Sequence, residues 1–411
     1  TQLREEVRQL QQRLDALEAR PSGAPSESAF NPAISAILNG VYANLQRDPA
    51  TYHLSGFVPT LGEVAPPRRG LSLGESELAV SSNVDHLFRG TLIASISSES
   101  DGVQVEEGYI ETLALSHGFT LKAGRFFSAI GYQNQVHAHA WDFTDAPLAM
   151  KAFLGNQLAE DGVQVKWVPP VTALYVDLGV EFGRGRAFPA SDPSKNGFGS
   201  SNLFGHLGGD LGASTSWLAG ASYYSTSPRD RPYGDTDSTA TMVQNSFSGA
   251  SKLWSVSGIL KWSPEGNATE RSLKLQAEYF GRKEDGALSY DTAGASRGPM
   301  SGSYASRQSG WYAQSVYQFM PAWRVGYRYD QLDSGTTTIG LVDSGTLAPA
   351  DFPILSAYNP KRHTAMVDWS PSEFSRIRLQ VARDYARMGE PDNQIFLQYI
   401  VSLGAHGAHK F

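Results

Sequence analysis

Cysteine is absent from the chain, which removes disulfides, thiolate nucleophiles and zinc–thiolate centres from consideration. Charge is scarce: charged residues make up 18% of 411 residues, 34 basic against 41 acidic, for a net charge of −7. With no basic excess to neutralise phosphates, nucleic acid is excluded as a partner. No run approaches ~18 consecutive apolar residues, so a transmembrane helix is excluded too. The polar opening, residues 1–20, has no apolar signal-peptide core, so for an exported protein the numbering starts at the mature chain. What is plentiful is glycine, at 41 residues, with aromatics at 11%. A disordered chain would lack the aromatics and carry more charge. The length suits two or three domains or one large all-β domain, and the composition favours the latter.

Residues 1–20 differ from everything after them. Leu3, Val7, Leu10, Leu14 and Leu17 are spaced 4, 3, 4 and 3, an a/d heptad seam surrounded by Glu, Gln and Arg. So short a helix is not stable alone in water. It borrows stability, most simply from identical helices held together by a neighbouring oligomeric domain; a helix packed on its own domain is the alternative. Pro21 ends it, and the Pro/Ser/Gly-rich stretch that follows reads as a flexible linker. The expected organisation is a coiled coil over 1–20, a linker over 21–32 and one β domain over 33–411.

After Ala29 the apolar period becomes two. In the last segment Ile395, Leu397, Tyr399, Val401 and Leu403 share one parity, which carries on to Phe411. Leu273, Leu275, Ala277 and Tyr279 alternate with Lys274, Gln276 and Glu278, and Trp323, Val325, Tyr327 and Tyr329 with Arg324, Arg328 and Asp330. Strands are expected to begin near Ala33, Leu73, Arg89, Val103, Phe119, Gly162, Tyr175 and Ser201, then near Trp217, Lys252, Ser272, Gly310, Trp323, His363, Arg376 and Gln394. The connections alternate: 262–271, 320–322 and 370–375 read as tight, 225–251, 283–309 and 333–361 as long loops. No fixed-period repeat points to a propeller or solenoid.

One face of these strands is apolar and aromatic; the other carries both signs of charge. A soluble sandwich alternates as well, and the pattern alone does not say which face is inner. Three features favour an inner polar face: its many long ionic side chains, the Trp residues near strand ends (Trp167, Trp262, Trp323, Trp369), and the alternation of tight and long connections. In hydrocarbon every backbone N–H and C=O needs a partner, so a membrane-spanning sheet closes on itself. Residues 33–411 divide into sixteen strand-plus-connection units of about 24 residues, enough for ~9–11 membrane residues each. A barrel of ~16 strands leaves an aqueous lumen. The fold class expected is therefore all-β: a transmembrane antiparallel β-barrel of about sixteen strands with an N-terminal coiled coil.

The heptads, the strand pattern and the terminal strand NQIFLQYIVSL, whose parity runs to an aromatic last residue, together resemble the Gram-negative outer-membrane porins of sixteen strands that assemble as trimers. They are most similar to the phosphate-selective porins and to dicarboxylate porins with an N-terminal coiled coil. The resemblance implies a homotrimer joined through Leu3, Val7, Leu10, Leu14 and Leu17, contact with outer-membrane lipid and lipopolysaccharide, and insertion by the barrel assembly machinery through the C-terminal strand. It places the coil in the periplasm, within reach of the cell wall.

Residues 132–161, with QVHAHAWDFTDAP, follow an expected strand over 119–131. In porins of this resemblance a comparably placed loop folds inward and narrows the channel, which makes His137, His139, Asp142 and Asp145 the candidate constriction. Its alternative is a loop that packs Trp141 and Phe143 on the wall with its histidines merely hydrogen-bonded. His-x-His also chelates zinc or copper, so His137 and His139 are candidate metal ligands. The candidate lumen charges are Lys122, Lys166, Lys274, Arg324, Arg328, Arg376 and Arg378, interleaved with Glu278, Asp330, Asp384 and further acids including Glu75, Glu77, Glu106 and Asp368. A mixed lining makes a transverse field rather than a single-sign filter; ion pairing that merely satisfies the lumen is the plainer reading. Hydrolase, zincin and phosphate-loop motifs are lacking, and no cofactor is expected. The sequence thus reads as a non-enzymatic porin, a passive channel for small polar or charged solutes. A closed envelope-tethering barrel and a zinc or copper uptake channel are the alternatives.

Overall fold

The computed structural model describes residues 32–60, 64–98 and 102–404. The heptad residues, and His406, His409 and Phe411 at the other end, lie outside the described residues. The described chain closes into one antiparallel barrel of sixteen strands. In order these are β1 (Ala33–Leu45), β2 (Gly70–Leu73 continued by Ser76–Asn83), β3 (Phe88–Ile96), β4 (Val103–Thr112), β5 (Phe119–Phe127), β6 (Ala159–Trp167), β7 (Tyr175–Gly183) and β8 (Ser200–Leu211). The second half is β9 (Thr215–Thr226 continued by Arg231–Thr236), β10 (Met242–Trp262), β11 (Ser272–Tyr290), β12 (Met300–Met320), β13 (Trp323–Ile339), β14 (Lys361–Ser372), β15 (Ser375–Asp384) and β16 (Asp392–Gly404). Both segments of β2 pair with β1, and both segments of β9 pair with β10, so each counts as one broken strand. Every strand pairs with its sequence neighbours, and β16 returns to β1 over Ser35–Leu45 to close the cylinder. Closure leaves no edge, which is what a sheet in hydrocarbon requires.

Alternation decides which way each side chain points, and it points the apolar set outward. Along β16, Ile395, Leu397 and Tyr399 are 45–49% exposed, whereas Gln394, Gln398 and Asp392 are 2% exposed. The same inversion holds on β14, where Arg362, Thr364 and Asp368 are buried and Trp369 is exposed. A water-soluble protein buries the opposite set; here the apolar face covers the outside of the cylinder.

Connections fall on two rims. One carries only short turns, including 212–214, 321–322 and 373–374; the other carries 46–69, 128–158, 184–199 and 340–360. Two of the three long loops expected from the sequence, 225–251 and 283–309, are largely strand, whereas most of 333–361 is a long connection as expected. Residues 231–236 pair with 242–247, β11 runs to Tyr290, and β12 starts at Met300, ten residues before the expected Gly310. These segments are rich in Ser, Gly, Asp and Lys because they stand above the apolar belt. Their composition reads as loop although the ladder continues. The wall is consequently uneven: β3 to β7 have 9 or 10 residues, β10 to β13 have 17 to 21.

Candidate functional site: the inward segment and the wall that holds it

β5 ends at Phe127, not at 131 as its sequence suggested, because the chain leaves the wall there and enters the lumen. Gly131 makes the turn with φ +72°, and a Cβ at this position would lie 2.5 Å from a Glu278 carboxylate oxygen. Only glycine fits both the backbone and the space. Wall carboxylates receive the backbone amides of the incoming chain. Glu107 accepts from the Phe127 amide, Glu181 from Ala129 at 2.8 Å, and Glu278 from Tyr132 and Gln133 at 2.7 and 2.9 Å. The neck is closed by Asn134, whose amide donates to the Ser128 and Leu158 carbonyls while its oxygen accepts from the Leu158 amide. Unpaired buried amides are costly, so this ring of acceptors defines where the segment crosses the lumen.

Beyond the neck, residues 148–154 form a short helix, α1 (Leu148–Leu154), every residue of which is buried. Its Leu148 amide donates to Asp330, and it ends in a left-handed Gly155 at φ 66°. Ile130, Trp141, Leu148, Phe153 and Leu154 pack on the lumen-facing Tyr224, Leu253, Phe280 and Leu332, and on Leu54 and Phe57 of the 46–69 loop. The lumen face is therefore apolar where the segment docks and charged elsewhere, which the strict apolar-out reading of the strands did not anticipate.

The four candidate constriction residues all sit on this segment, and each is engaged with the wall. Asp142 accepts from Lys274 at 3.0 Å and from Arg324 at 3.2 Å. Asp145 bridges two arginines, Arg328 at 2.9 Å and Arg362 at 2.5 Å. Burial opposes both charges, but these cations outweigh it and hold both carboxyls well below the usual carboxylate range. Lys151 of α1 lies 3.8 Å from Asp145 and over the Tyr52 ring; burial, against the pull of Asp145, brings its pKa down to about 8. Trp141 and Phe143 are buried, so wall packing and the charge contacts occur together.

His137 and His139 meet carboxylates from two strands. His137 Nε2 is 3.0 Å from Glu107, and its Nδ1 is 3.2 Å from Glu77 and 3.3 Å from Glu106. His139 Nδ1 is 2.6 Å from Glu77. Burial disfavours charge on His137, yet the surrounding Glu106, Glu107 and Glu77 outweigh it and hold the ring well above the ordinary histidine value. A bulge explains why two consecutive glutamates reach one histidine: Ile93 pairs with Glu107 and Ala94 with Val105, so Glu106 is the extra residue in β4. Bulges re-aim side chains in this way.

The candidate lumen charges sit as follows. Arg324 makes a two-pronged contact with Asp368, and Arg328 with Asp145 and Asp330. Arg378 donates to Gln398 and to the Trp141 carbonyl, and Arg376 reaches the same carbonyl at 3.4 Å. Asp384 lies 3.8 Å from Arg362, Glu278 accepts from Tyr312, and Lys122 lies over the Tyr109 ring. Lys166 is on the inner face of β6. Sequence reasoning missed Arg362, Lys151 and Glu107. The parity shared by Arg362 and Asp368 marks the first. Lys151 sits in a segment with no strand period, and Glu107 is hidden by the bulge. At the short-turn rim, Asp210, Lys261, Lys274 and Arg324 line an open, charged vestibule.

No known family profile matches the chain. An uncharacterized protein of Aquifex aeolicus (strain VF5) is 32% identical across 98% of this chain and 84% of its own length. Among solved structures, OmpT of Vibrio cholerae, an outer membrane protein, superposes in a loop-deleted form with a TM-score of 0.55 at 10% identity, over 90% of this chain and 99% of that one. Its trimer form gives 0.52 at 10% identity, with the same coverage. The outer membrane channel DcaP of Acinetobacter baumannii gives 0.50 at 11% identity, covering 90% and 97%. The chain belongs to one family with the Aquifex aeolicus protein, and the fold of this chain is that of the outer-membrane porins.

Proposed function

We propose that the protein is an outer-membrane porin, a passive diffusion channel for small polar or charged solutes in which no bond is made or broken. One observation carries this reading: the closed cylinder puts a continuous apolar face outside and most of its ion pairs inside, with a chain segment crossing the lumen. Such a wall is stable only with hydrocarbon around it and water within. The long-loop rim then faces the exterior and the short-turn rim the periplasm. A solute entering the periplasmic vestibule meets Lys261, Lys274 and Arg324 against Asp210, then the rows Arg324–Asp142 and Arg328–Asp145. His137, His139, Asp142 and Asp145 set the width by holding the segment to the wall. Opposed charges across a narrow, low-dielectric passage orient a dipolar or ionic solute as it sheds part of its water.

The trimer form of the OmpT neighbour supports a homotrimer, in which the heptad over residues 1–20 joins three chains on the periplasmic side through Leu3, Val7, Leu10, Leu14 and Leu17. Lipid and lipopolysaccharide cover the outer face, and β16 is the strand handed to the assembly machinery. Planar-bilayer recording of the purified protein tests the reading. Stepwise conductance is expected, with a reversal potential in asymmetric salt that reports ion preference. Folded protein that inserts and gives no steps overturns it.

A further inference from the structure

The cluster around His137 holds more than the ion pairs of a lumen. The Glu77, His137 and His139 ligand atoms all lie within 4.8 Å of one another, and those of Glu75, Glu77 and Glu106 do the same, so the two groups share Glu77. The His137 and His139 rings are nearly parallel, with centroids 5.7 Å apart.

Three observations separate this arrangement from simple pairing. First, the His137 Nδ1 atom and the Glu106 Oε2 atom are buried without an aligned hydrogen bond, although they are 3.3 Å apart. This nitrogen has a single hydrogen or lone pair to share between Glu77 and Glu106, and a cation among the three atoms would satisfy both carboxylates more fully. Second, His137 Nδ1 lies 3.2 Å from Glu77 and 3.3 Å from Glu106, and an ion about 2.1 Å from this nitrogen and from either oxygen subtends close to the tetrahedral angle that zinc adopts. His139, hydrogen-bonded to Glu77 at 2.6 Å, would move apart from it to ligate the same ion. Third, the opposite nitrogen of His137 is bonded to Glu107 at 3.0 Å. A carboxylate on the far nitrogen of a ligating histidine fixes its tautomer and orientation, and this is the usual second layer of a metal site. Carboxylates also outnumber the imidazoles, with Lys122 the cation that bears on Glu107.

We propose that Glu77, His137, His139 and Glu106 form a site for a divalent first-row cation of the zinc class, which ties the inward segment to β2 and β4. Two imidazoles and two carboxylates suit such a borderline ion better than calcium or magnesium, which take oxygen ligands only. The ion is a resident tether and not cargo, so the inference goes beyond the channel reading and does not depend on it. Because the ligands come from the segment and from the wall, binding holds the segment in its seated position.

The test uses full-length protein in detergent, stripped with chelator, reloaded with zinc sulfate and dialysed. About one zinc ion per chain is expected to remain, and cobalt(II) is expected to give the intense visible absorption of a tetrahedral site. Both signals vanish in the H137A/H139A double variant and in E77Q. Glu107→Gln keeps all four ligands and weakens zinc retention roughly 10-fold or more. Heat-dependent gel mobility on the same samples establishes that each variant is folded. Wild-type protein that retains no zinc, or folded variants that retain as much as wild type, overturns the proposal. Neither result bears on bilayer conductance, which is recorded separately.

Discussion

At the residue scale, the lumen is held by charges that have been taken out of bulk water and given partners. Breaking one member of a buried pair costs about 3–5 kcal/mol, because the other charge is then stranded. Asp145 illustrates this: it faces Arg328, Arg362 and Lys151 at once. Lys151 is the least well served of the three, at 3.8 Å, and burial brings its pKa from 10.5 to about 8. The folded state therefore gives up this proton at a lower pH than the unfolded chain does. Between about pH 8 and about pH 10.5 the unfolded chain binds more protons, so this group makes stability rise with pH across that window. Replacing it removes the dependence. Denaturant unfolding of wild type and Lys151→Met in detergent is expected to differ in pH slope, with a wild-type gain on the order of 3 kcal/mol over the window that the variant lacks. Parallel slopes would show that the ammonium is solvated where it lies.

At the element scale, the inward segment and the wall are separable. The wall's ladders run from β1 round to β16 without using any residue of 128–158. The segment depends on the wall, through Glu107, Glu181, Glu278 and Asp330. Substituting residues 137–151 by a short Gly/Ser connection is expected to leave a folded barrel, since water then solvates the exposed carboxylates and arginines. Single-channel conductance in bilayers should rise several-fold. An unchanged conductance would put the narrowest point elsewhere. This separability also explains what was readable in the sequence. Wall strands carry a period of two imposed by lipid on one side, so residues such as Ile395, Leu397 and Tyr399 announce both strand and face. The segment has no lipid face and therefore no period. Its partners lie many strands away, as with Asp142 and Arg324, and Glu106 reaches His137 only through a one-residue bulge. Likewise 231–236 and 242–251 look like loop because above the membrane neither face needs to be apolar.

At the scale of the whole molecule, the uneven wall has a direction. On β3 and β4 the outward residues nearest the long-loop rim are aliphatic: Ile96, Val103 and Val105 are 40–63% exposed. Several other strands carry an exposed aromatic toward that rim, among them Tyr42, Phe182, Tyr223, Trp254 and Trp311. Aromatic belts mark where a barrel meets lipid headgroups, and the low sector has no exposed aromatic at this level on β3 or β4. Its outer face also carries an ion pair, Arg125–Asp161 at 2.6 Å, and charge on a lipid face is unfavourable. The homotrimer proposed above predicts that a second copy of the chain covers both features, with each low wall turned toward the threefold axis and the tall β10–β13 wall turned to the membrane. The lack of native cysteine makes this directly measurable. Leu92→Cys on β3 is expected to form intermolecular disulfides under mild oxidation in native membranes, whereas Leu275→Cys on β11, equally exposed in the single chain at 41% against 48%, is not. On the proposed assembly, removing residues 1–20 should lower the heat resistance of the trimer and leave the Leu92→Cys crosslink in place, because the expected coil and the expected low-wall contact act independently. Crosslinking at Leu275→Cys and none at Leu92→Cys would turn the assembly round and leave the aliphatic sector facing lipid.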